Sequence, residues 1–481
     1  MNLSRTLSEH TRRNIILVLL CVSQFMVVLD FAIVNVALPS IQRDLGFSQE
    51  GLQWVLTACI LPFGGFLLLG GRAADLYGRK KVLVVGLVLF AAASLVAGLA
   101  ISPAMLLVAR AAQGVASAMV APAALSLLTT IFREGPERDR ALGVYGAVLS
   151  FGFVAGVILG GLLTAVDWRL TMFINVPVGV AAAVLILPLV AESRDPEEER
   201  KLDAPGAVLG TGAVFALIYG ISEAEGAGWL SPTTIGSLVV AVALGTAFLA
   251  AERHSSAPLA PPEILGKKTV WGANLPGLVT FGAATGVTFI LTLYMQQALG
   301  YGPLETGLAF ALFGATAVLA GAIGPRVISR LGATATLVVG LLVQAASTLL
   351  LVLISPTEGL AIVLIGTGLI GVGHVTAVVA YMGIATSGLP DERQGLAGSL
   401  ANVAQQVGSA LGVAILAAVS AARAGALRAT DTPFQDALVS GSRHALAVGA
   451  ALLVLAALLT LLVLGRPSRG RLVLPAEDSR L

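Results

Sequence analysis

Apolar runs of about 18 residues or more recur along the whole of this 481-residue chain. Wound as an α-helix, such a run is long enough to cross the hydrocarbon core of a bilayer. Lipid offers the backbone no water to bond, so each run must close its own hydrogen bonds as a helix. Charged residues make up 12% of the chain and apolar residues 57%, against about a quarter charged in a soluble domain. That leaves too little polar surface to coat a water-soluble body of this size. The expected fold is an all-α polytopic membrane protein.

Fourteen spans are expected. Six lie at roughly 14–36, 53–70, 82–99, 104–131, 141–166 and 171–190; two at 205–221 and 233–251; six more at 272–293, 307–325, 335–354, 359–386, 397–421 and 445–464. The first follows Arg12 and Arg13 but is too long for a signal h-region and has no small-residue cleavage site behind it, so it reads as a retained span. Of the 29 Lys and Arg, an alternating topology with a cytoplasmic N-terminus leaves Arg43, Arg169, Arg423, Arg428 and Arg443 outside and Arg110 within a span; the remainder fall inside. The positive-inside rule supports that orientation, with both termini cytoplasmic.

Two polar connections, 192–203 (acidic) and 252–268 (with Pro258, Pro261 and Pro262), bracket the seventh and eighth spans. The expected organisation is a six-helix bundle (1–191), linkers carrying an inserted helix pair (192–268), a second six-helix bundle (269–465) and a cytoplasmic tail (466–481). This is the pattern of a two-bundle transporter. GGRAADLYGRKKVL after span two is echoed by GPRVISRLGATATL after span ten, as a diverged duplication would leave.

The loop between spans two and three sets Gly71, Asp75, Gly78, Arg79 and Lys80 in a short connection. Glycines let helix ends close tightly, and the charges can pair with neighbouring helix ends in one conformation and release them in another. Charge alone would read the loop as a topology determinant; the ordered spacing favours a gate.

Asp30 is the carboxylate deep in a span and Arg110 the base deep in a span. Ionisable groups at that depth mark ion or substrate paths more often than structural bonds. Burial disfavours an isolated charge, which suits Asp30 to taking and releasing a proton. An unpaired Arg110 would be very unfavourable, which makes Asp30 its candidate partner. Gln113 lies one turn beyond Arg110 on nearly the same face.

Span five carries Gly143, Gly152, Gly156, Gly160 and Gly161, the last four expected to form one flat face for close packing or a pivot. Asn35, Gln113, His374, Tyr381 and Gln405 are candidate cavity residues, as are Gln296, Gln297, Asn402 and Gln406; each also suits a hydrogen bond between helices. Cys21 and Cys59 read as small hydrophobes, and the four His are scattered, so no metal set is expected. A channel would show a ring of like residues or a filter loop. An enzyme would show a nucleophile–base or metal constellation, and ATP use a Walker-type loop. None is evident. A net charge of +2 argues against a nucleic-acid partner.

GRAADLYGRKK and RAAQG, with Arg110 at its head, resemble the loop and span-four signatures of the major facilitator superfamily. Gly143-x8-Gly152-x3-Gly156 with Gly160 and Gly161 resembles its antiporter motif, although Val157 stands where that motif has Pro. LDFAIVNVALP, carrying Asp30 and Asn35, and DWRLTMFINVPVG resemble features of its fourteen-helix drug:proton antiporter branch. The resemblance spans essentially the whole chain. It implies two bundles rocking about a central cavity, with Asp30 and Arg110 coupling proton uptake to efflux of amphipathic drugs, antibiotics or related metabolites. The alternative is a dedicated exporter of an endogenous metabolite, amino acid or siderophore on the same scaffold. The expected energy source is the proton gradient, with no cofactor; the expected setting is a bacterial inner membrane, and the expected unit a monomer.

Overall fold

A computed structural model of the chain describes residues 8–48, 51–132, 136–193, 204–228, 230–255, 258, 263, 266–357, 359–386 and 391–464. Its long elements are all helical, with no strand among the described residues. They are α1 (Glu9–Leu45), α2 (Trp54–Tyr77), α3 (Arg79–Gly98), α4 (Pro103–Ile131), α5 (Pro136–Val166), α6 (Asn175–Leu189), α7 (Ala204–Ala227), α8 (Pro232–His254), α9 (Lys268–Leu293), α10 (Pro303–Leu331), α11 (Ala333–Leu350), α12 (Leu360–Thr386), α13 (Asp391–Arg428) and α14 (Phe434–Leu464). A single turn, Leu170–Phe173, leads into α6, and a π-helical stretch, Tyr294–Ala298, prolongs α9. Among the described residues, 11 helices are long and apolar enough to cross a membrane. Shorter apolar stretches, Gly51–Leu67, Ala155–Val166 and Pro205–Ile221, fall within or beside α2, α5 and α7. The tail at 466–481 lies outside the described residues.

Local chemistry sets the helix starts. Ser8, Ser102 and Ser231 each accept the backbone N–H three residues on, and Pro103 and Pro232 occupy the first helical position where no N–H is needed. Outward faces are apolar: Val88, Val108, Val242, Leu319 and Leu462 are exposed. That arrangement is unfavourable in water and expected against lipid chains.

The helices form two groups. In the first, α2 and α3 pack on α4, α1 lies against α4 and α5, and α6 rests on α3; in the second, α9 lies against α12, α13 and α14, α11 against α12 and α14, and α10 against α12. The groups meet along two seams, α5 with α10 and α2 with α13, and α1 also touches α9 and α10.

The helix pair α7–α8 sits on one seam only. α7 packs on α2 and α13, where the Thr211 hydroxyl donates to the Gly65 carbonyl at 2.9 Å and the Trp54 and Tyr219 rings lie 6.2 Å apart. α8 packs on α7 alone among the well-contacted pairs. Only 11% of its most apolar window is buried, against 78% for the span beginning at Lys268, so α8 is peripheral.

The echo in the sequence has a backbone counterpart. Gly78 alone joins α2 to α3, and Gly332 alone joins α10 to α11. Both take positive φ, +110° and +81°, a conformation that side-chain-bearing residues resist. The two glycines occupy the same place in the echoed segments.

Candidate functional site

Helices α4 and α6 converge on the carboxylate of Asp30, which is 1% exposed at the middle of α1. Arg110, fully buried on α4, donates through Nη1 to Asp30 Oδ2 at 2.5 Å. Asn175, the first residue of α6, donates to Asp30 Oδ1 at 2.8 Å. Gln113 donates to Oδ1 at 3.3 Å and to the Ser94 hydroxyl of α3 at 2.7 Å. Arg110 also donates to Gln113 Oε1 at 2.9 Å and, through Nε, to the Val55 carbonyl of α2 at 3.0 Å. Close approach of α2 and α4 makes this possible: a Cβ on Gly114 would stand 2.2 Å from the Cys59 carbonyl oxygen. Asp30, the candidate partner of Arg110, is thus paired with it. Attraction between such charges is strong away from water, and so is the penalty for stranding either one.

Helix α5 backs this site with glycines. A Cβ on Gly156 would meet Ala32 Cβ at 2.7 Å and the Leu29 carbonyl at 2.9 Å; one on Gly160 would meet the Ile33 carbonyl at 2.8 Å; one on Gly152 would meet Phe25 at 3.2 Å. These contacts run along α1 on both sides of Asp30. The single flat face expected of span five needs correction. Gly161 turns to the second group, where its Cβ would stand 2.9 Å from Leu304 Cα and the Pro303 carbonyl. A turn of 100° per residue separates Gly160 from its neighbour and divides the row between two partners. Gly143 lies on α5; its surroundings fall outside the described residues, as does the side chain of Asp75.

The loop around Gly78 is organised by a residue that the sequence reading left in a linker. Glu192, just beyond α6, accepts the backbone N–H of Lys80 at 3.1 Å and of Lys81 at 3.2 Å. Its carboxylate thus caps the start of α3, where free N–H groups and the helix dipole favour an anion. A Cβ on Gly78 would stand 2.6 Å from that carboxylate. The Arg79 side chain reaches Thr130 of α4 at 2.5 Å, while its backbone N–H bonds the Ser193 carbonyl at 3.0 Å. Gly71 faces Pro122.

The candidate cavity residues do not share one place. Gln113 belongs to the Asp30 site. Asn35 accepts from Thr292 of α9 at 3.3 Å, beside Gln296, which donates to the Val36 carbonyl at 2.9 Å, and Gln297, which donates to Gln42 at 2.8 Å. These three bonds tie the two groups together at the end where α1 finishes. Tyr381 and Gln405 are brought together, Gln405 donating to the Tyr381 hydroxyl at 2.8 Å and that hydroxyl to the Ala401 carbonyl at 2.9 Å. His374 lies apart, against Thr280 and Phe281 of α9. Asn402 is half-buried, and Gln406 packs on Gly64 across the α2–α13 seam. Among the described residues no His, Cys, Asp and Glu gather in a metal-sized group.

The family model described as Major Facilitator Superfamily matches residues 20–413. The chain belongs to the major facilitator superfamily. It is 41% identical over 450 residues to the puromycin resistance protein pur8 of Streptomyces alboniger, covering 92% of this chain and 89% of that one. It is 36% identical over 422 residues to the cephamycin export protein CmcT of Amycolatopsis lactamdurans, covering 84% of each. In fold it is similar to a bacterial homologue of the human lysosomal transporter Spinster, with a TM-score of 0.69 at 17% identity over 95% of this chain and 98% of that one. This member of the superfamily is a multi-pass membrane transporter, consistent with its apolar helices.

Asn175, Ser94, the Val55 carbonyl and Glu192 escaped the sequence reading as individual site residues. Asn175 stood within the quoted motif DWRLTMFINVPVG, and a polar residue at the start of an apolar helix was the available signal. A backbone carbonyl leaves no such trace.

Proposed function

We propose that this transporter exports small amphipathic compounds, antibiotics and related metabolites among them, in exchange for protons by alternating access. The single observation that carries the reading is the Asp30 carboxylate, shut away from solvent on Arg110, Gln113 and Asn175. Names of relatives support the class of cargo: a puromycin resistance protein and a cephamycin export protein.

The chemistry follows from the charges. Protonation of Asp30 removes the negative partner of Arg110 and weakens the acceptor that holds Gln113 and Asn175. α1 is then released from α4 and α6 and can shift over the glycine row of α5, where Gly152, Gly156 and Gly160 carry no side chain. The proton gradient is the energy source in this scheme, no cofactor takes part, and one chain is sufficient.

Eleven long apolar helices with the three shorter stretches fit fourteen spans, divided at 191/192 and 268/269 into two bundles and an inserted pair. Both termini are assigned to the cytoplasm of a bacterial inner membrane by the distribution of Lys and Arg. The end where α1 finishes is then the outer face, closed here by Gln42, Gln296 and Gln297. The test is transport into everted vesicles carrying the protein, across a panel of toxic compounds, with the proton gradient intact and then collapsed by an ionophore. Uptake that depends on the gradient is expected; uptake indifferent to it would overturn proton exchange.

A further inference from the structure

A hydrogen-bond chain at mid-depth in the second group fixes the state of His374. Gln344 of α11 donates its amide N–H to the Thr280 backbone carbonyl at 3.0 Å. A carbonyl can only accept, so the amide is oriented, and Gln344 Oε1 faces the Thr280 hydroxyl, which donates its one proton there. With that proton committed, Thr280 Oγ1 meets His374 Nδ1, 3.2 Å away, as an acceptor. Nδ1 therefore carries the hydrogen, and in the neutral ring Nε2 is left with a bare lone pair.

No described residue bonds Nε2, and His374 keeps 8% of its surface open. Two aromatic rings flank the imidazole: Phe281 edge-on at 4.8 Å and Phe313 of α10 at 6.3 Å. Phe313 belongs to the apolar cluster that also holds Leu29, Ile33 and Val157 of the first group, while Phe281 packs on the second group's own cluster, so the Phe313 side of the ring is the one toward the region between the two groups. His374 lies at the middle of α12 and Thr280 at the middle of α9, the depth at which transporters of this architecture place their substrates.

We propose that His374 is a substrate-binding residue: its Nε2 accepts a hydrogen bond from a hydroxyl or amine of an amphipathic solute whose apolar body rests on Phe281 and Phe313. The proposal rests on the export reading above and names the chemical class of its cargo. A neutral acceptor between two rings selects for a donor beside an aromatic or aliphatic surface. It gives no such advantage to a lipophilic ion without a donor.

Two side-chain amides separate the ring nitrogens. Asn at position 374 places an N–H near Nδ1 and nothing at Nε2; Gln reaches the Nε2 position and abandons Nδ1. The full-length protein is purified in detergent, and equilibrium binding is measured for puromycin, which bears amine and hydroxyl donors, and for tetraphenylphosphonium, which bears none. His374→Asn is expected to raise the puromycin Kd about 3- to 10-fold, the span of one hydrogen bond, while tetraphenylphosphonium stays within about 2-fold. His374→Gln is expected to keep the wild-type ratio of the two constants. Taking both on one preparation cancels any loss of folded protein. Wild-type affinity for puromycin in His374→Asn with a weakened His374→Gln would assign the residue a purely structural bond through Nδ1 and overturn the proposal. An equal loss of both probes in His374→Asn would overturn it as well. Wild-type protein that binds neither probe would overturn the export reading itself, a result distinct from an unmoved ratio.

Discussion

The Asp30 carboxylate and the Arg110 guanidinium meet at 2.5 Å with side-chain exposures of 1% and 0%. They come from α1 and α4, and each is held by further groups: Asn175 and Gln113 on the acid, Gln113 and the Val55 carbonyl on the base. Both charges are buried, so the state of one decides whether the other is tolerable.

Asp30→Asn should abolish gradient-driven transport while leaving folded protein. Arg110→Met strands the carboxylate and should destabilise the protein by about 3–5 kcal/mol. The double variant Asp30→Leu/Arg110→Met should recover much of that loss, since replacing both charges removes the desolvation penalty with the attraction. Thermal melts in detergent check stability, and acid-pulse transport in proteoliposomes checks coupling. Full gradient-driven activity in Asp30→Asn would show that the proton binds elsewhere.

Asn175 contributes one of the two bonds to Asp30 Oδ1. Its loss in Asn175→Ala removes a charge-assisted hydrogen bond, worth about 1.5–3 kcal/mol. Gradient-driven transport should fall roughly tenfold or more, with a smaller effect on gradient-independent exchange. Measuring both rates on the same proteoliposomes separates coupling from damage.

The α1–α5 contact should discriminate by size. Gly156→Leu forces a side chain onto the Leu29 carbonyl and Ala32, and overpacking of this kind costs about 1–3 kcal/mol or more. Transport should be lost in Gly156→Leu and Gly160→Val. Gly425→Ala, where nothing lies within 4 Å of the added carbon, should be silent. Cysteines placed across α1 and α5 should cross-link with altered spacing in the first two and normally in the third.

Gly78 and Gly332 occupy equivalent places, yet their substitution should differ. Alanine at either adopts an unfavourable backbone conformation, at about 1–3 kcal/mol. At Gly78 it also collides with Glu192, whereas nothing lies within 4 Å at Gly332. Gly78→Ala should therefore be the more damaging in transport and in melting temperature. Glu192→Gln keeps an acceptor for the start of α3 and should be milder than Glu192→Ala, which loses the cap, worth about 1 kcal/mol.

The fold was largely legible from the sequence because lipid imposes one rule on every span, and run length with Lys and Arg placement follows from it. Asp30, Arg110 and Gln113 were legible for the same reason: a polar group stands out where the background is apolar. Glu192 was not, because an acid in a charged linker looks like any solvated acid until the chain brings it to the start of α3. The division of the span-five glycines between α1 and α10 was also hidden, since spacing reports a face only when the partners are known. His374 was visible as a residue, but the state of its ring depends on Gln344 and Thr280 from two other helices.

The Thr211–Gly65 bond has a consequence for how the transporter meets its surroundings. It pins α7 over the α2–α13 junction, and α8 lies outside α7. Neither helix packs substantially on the opposite junction, where α5 and α10 face each other. The molecule therefore has a curtained flank and a bare flank. A solute dissolved among the lipid tails reaches the bare flank without crossing protein, while on the other it must first pass two helices.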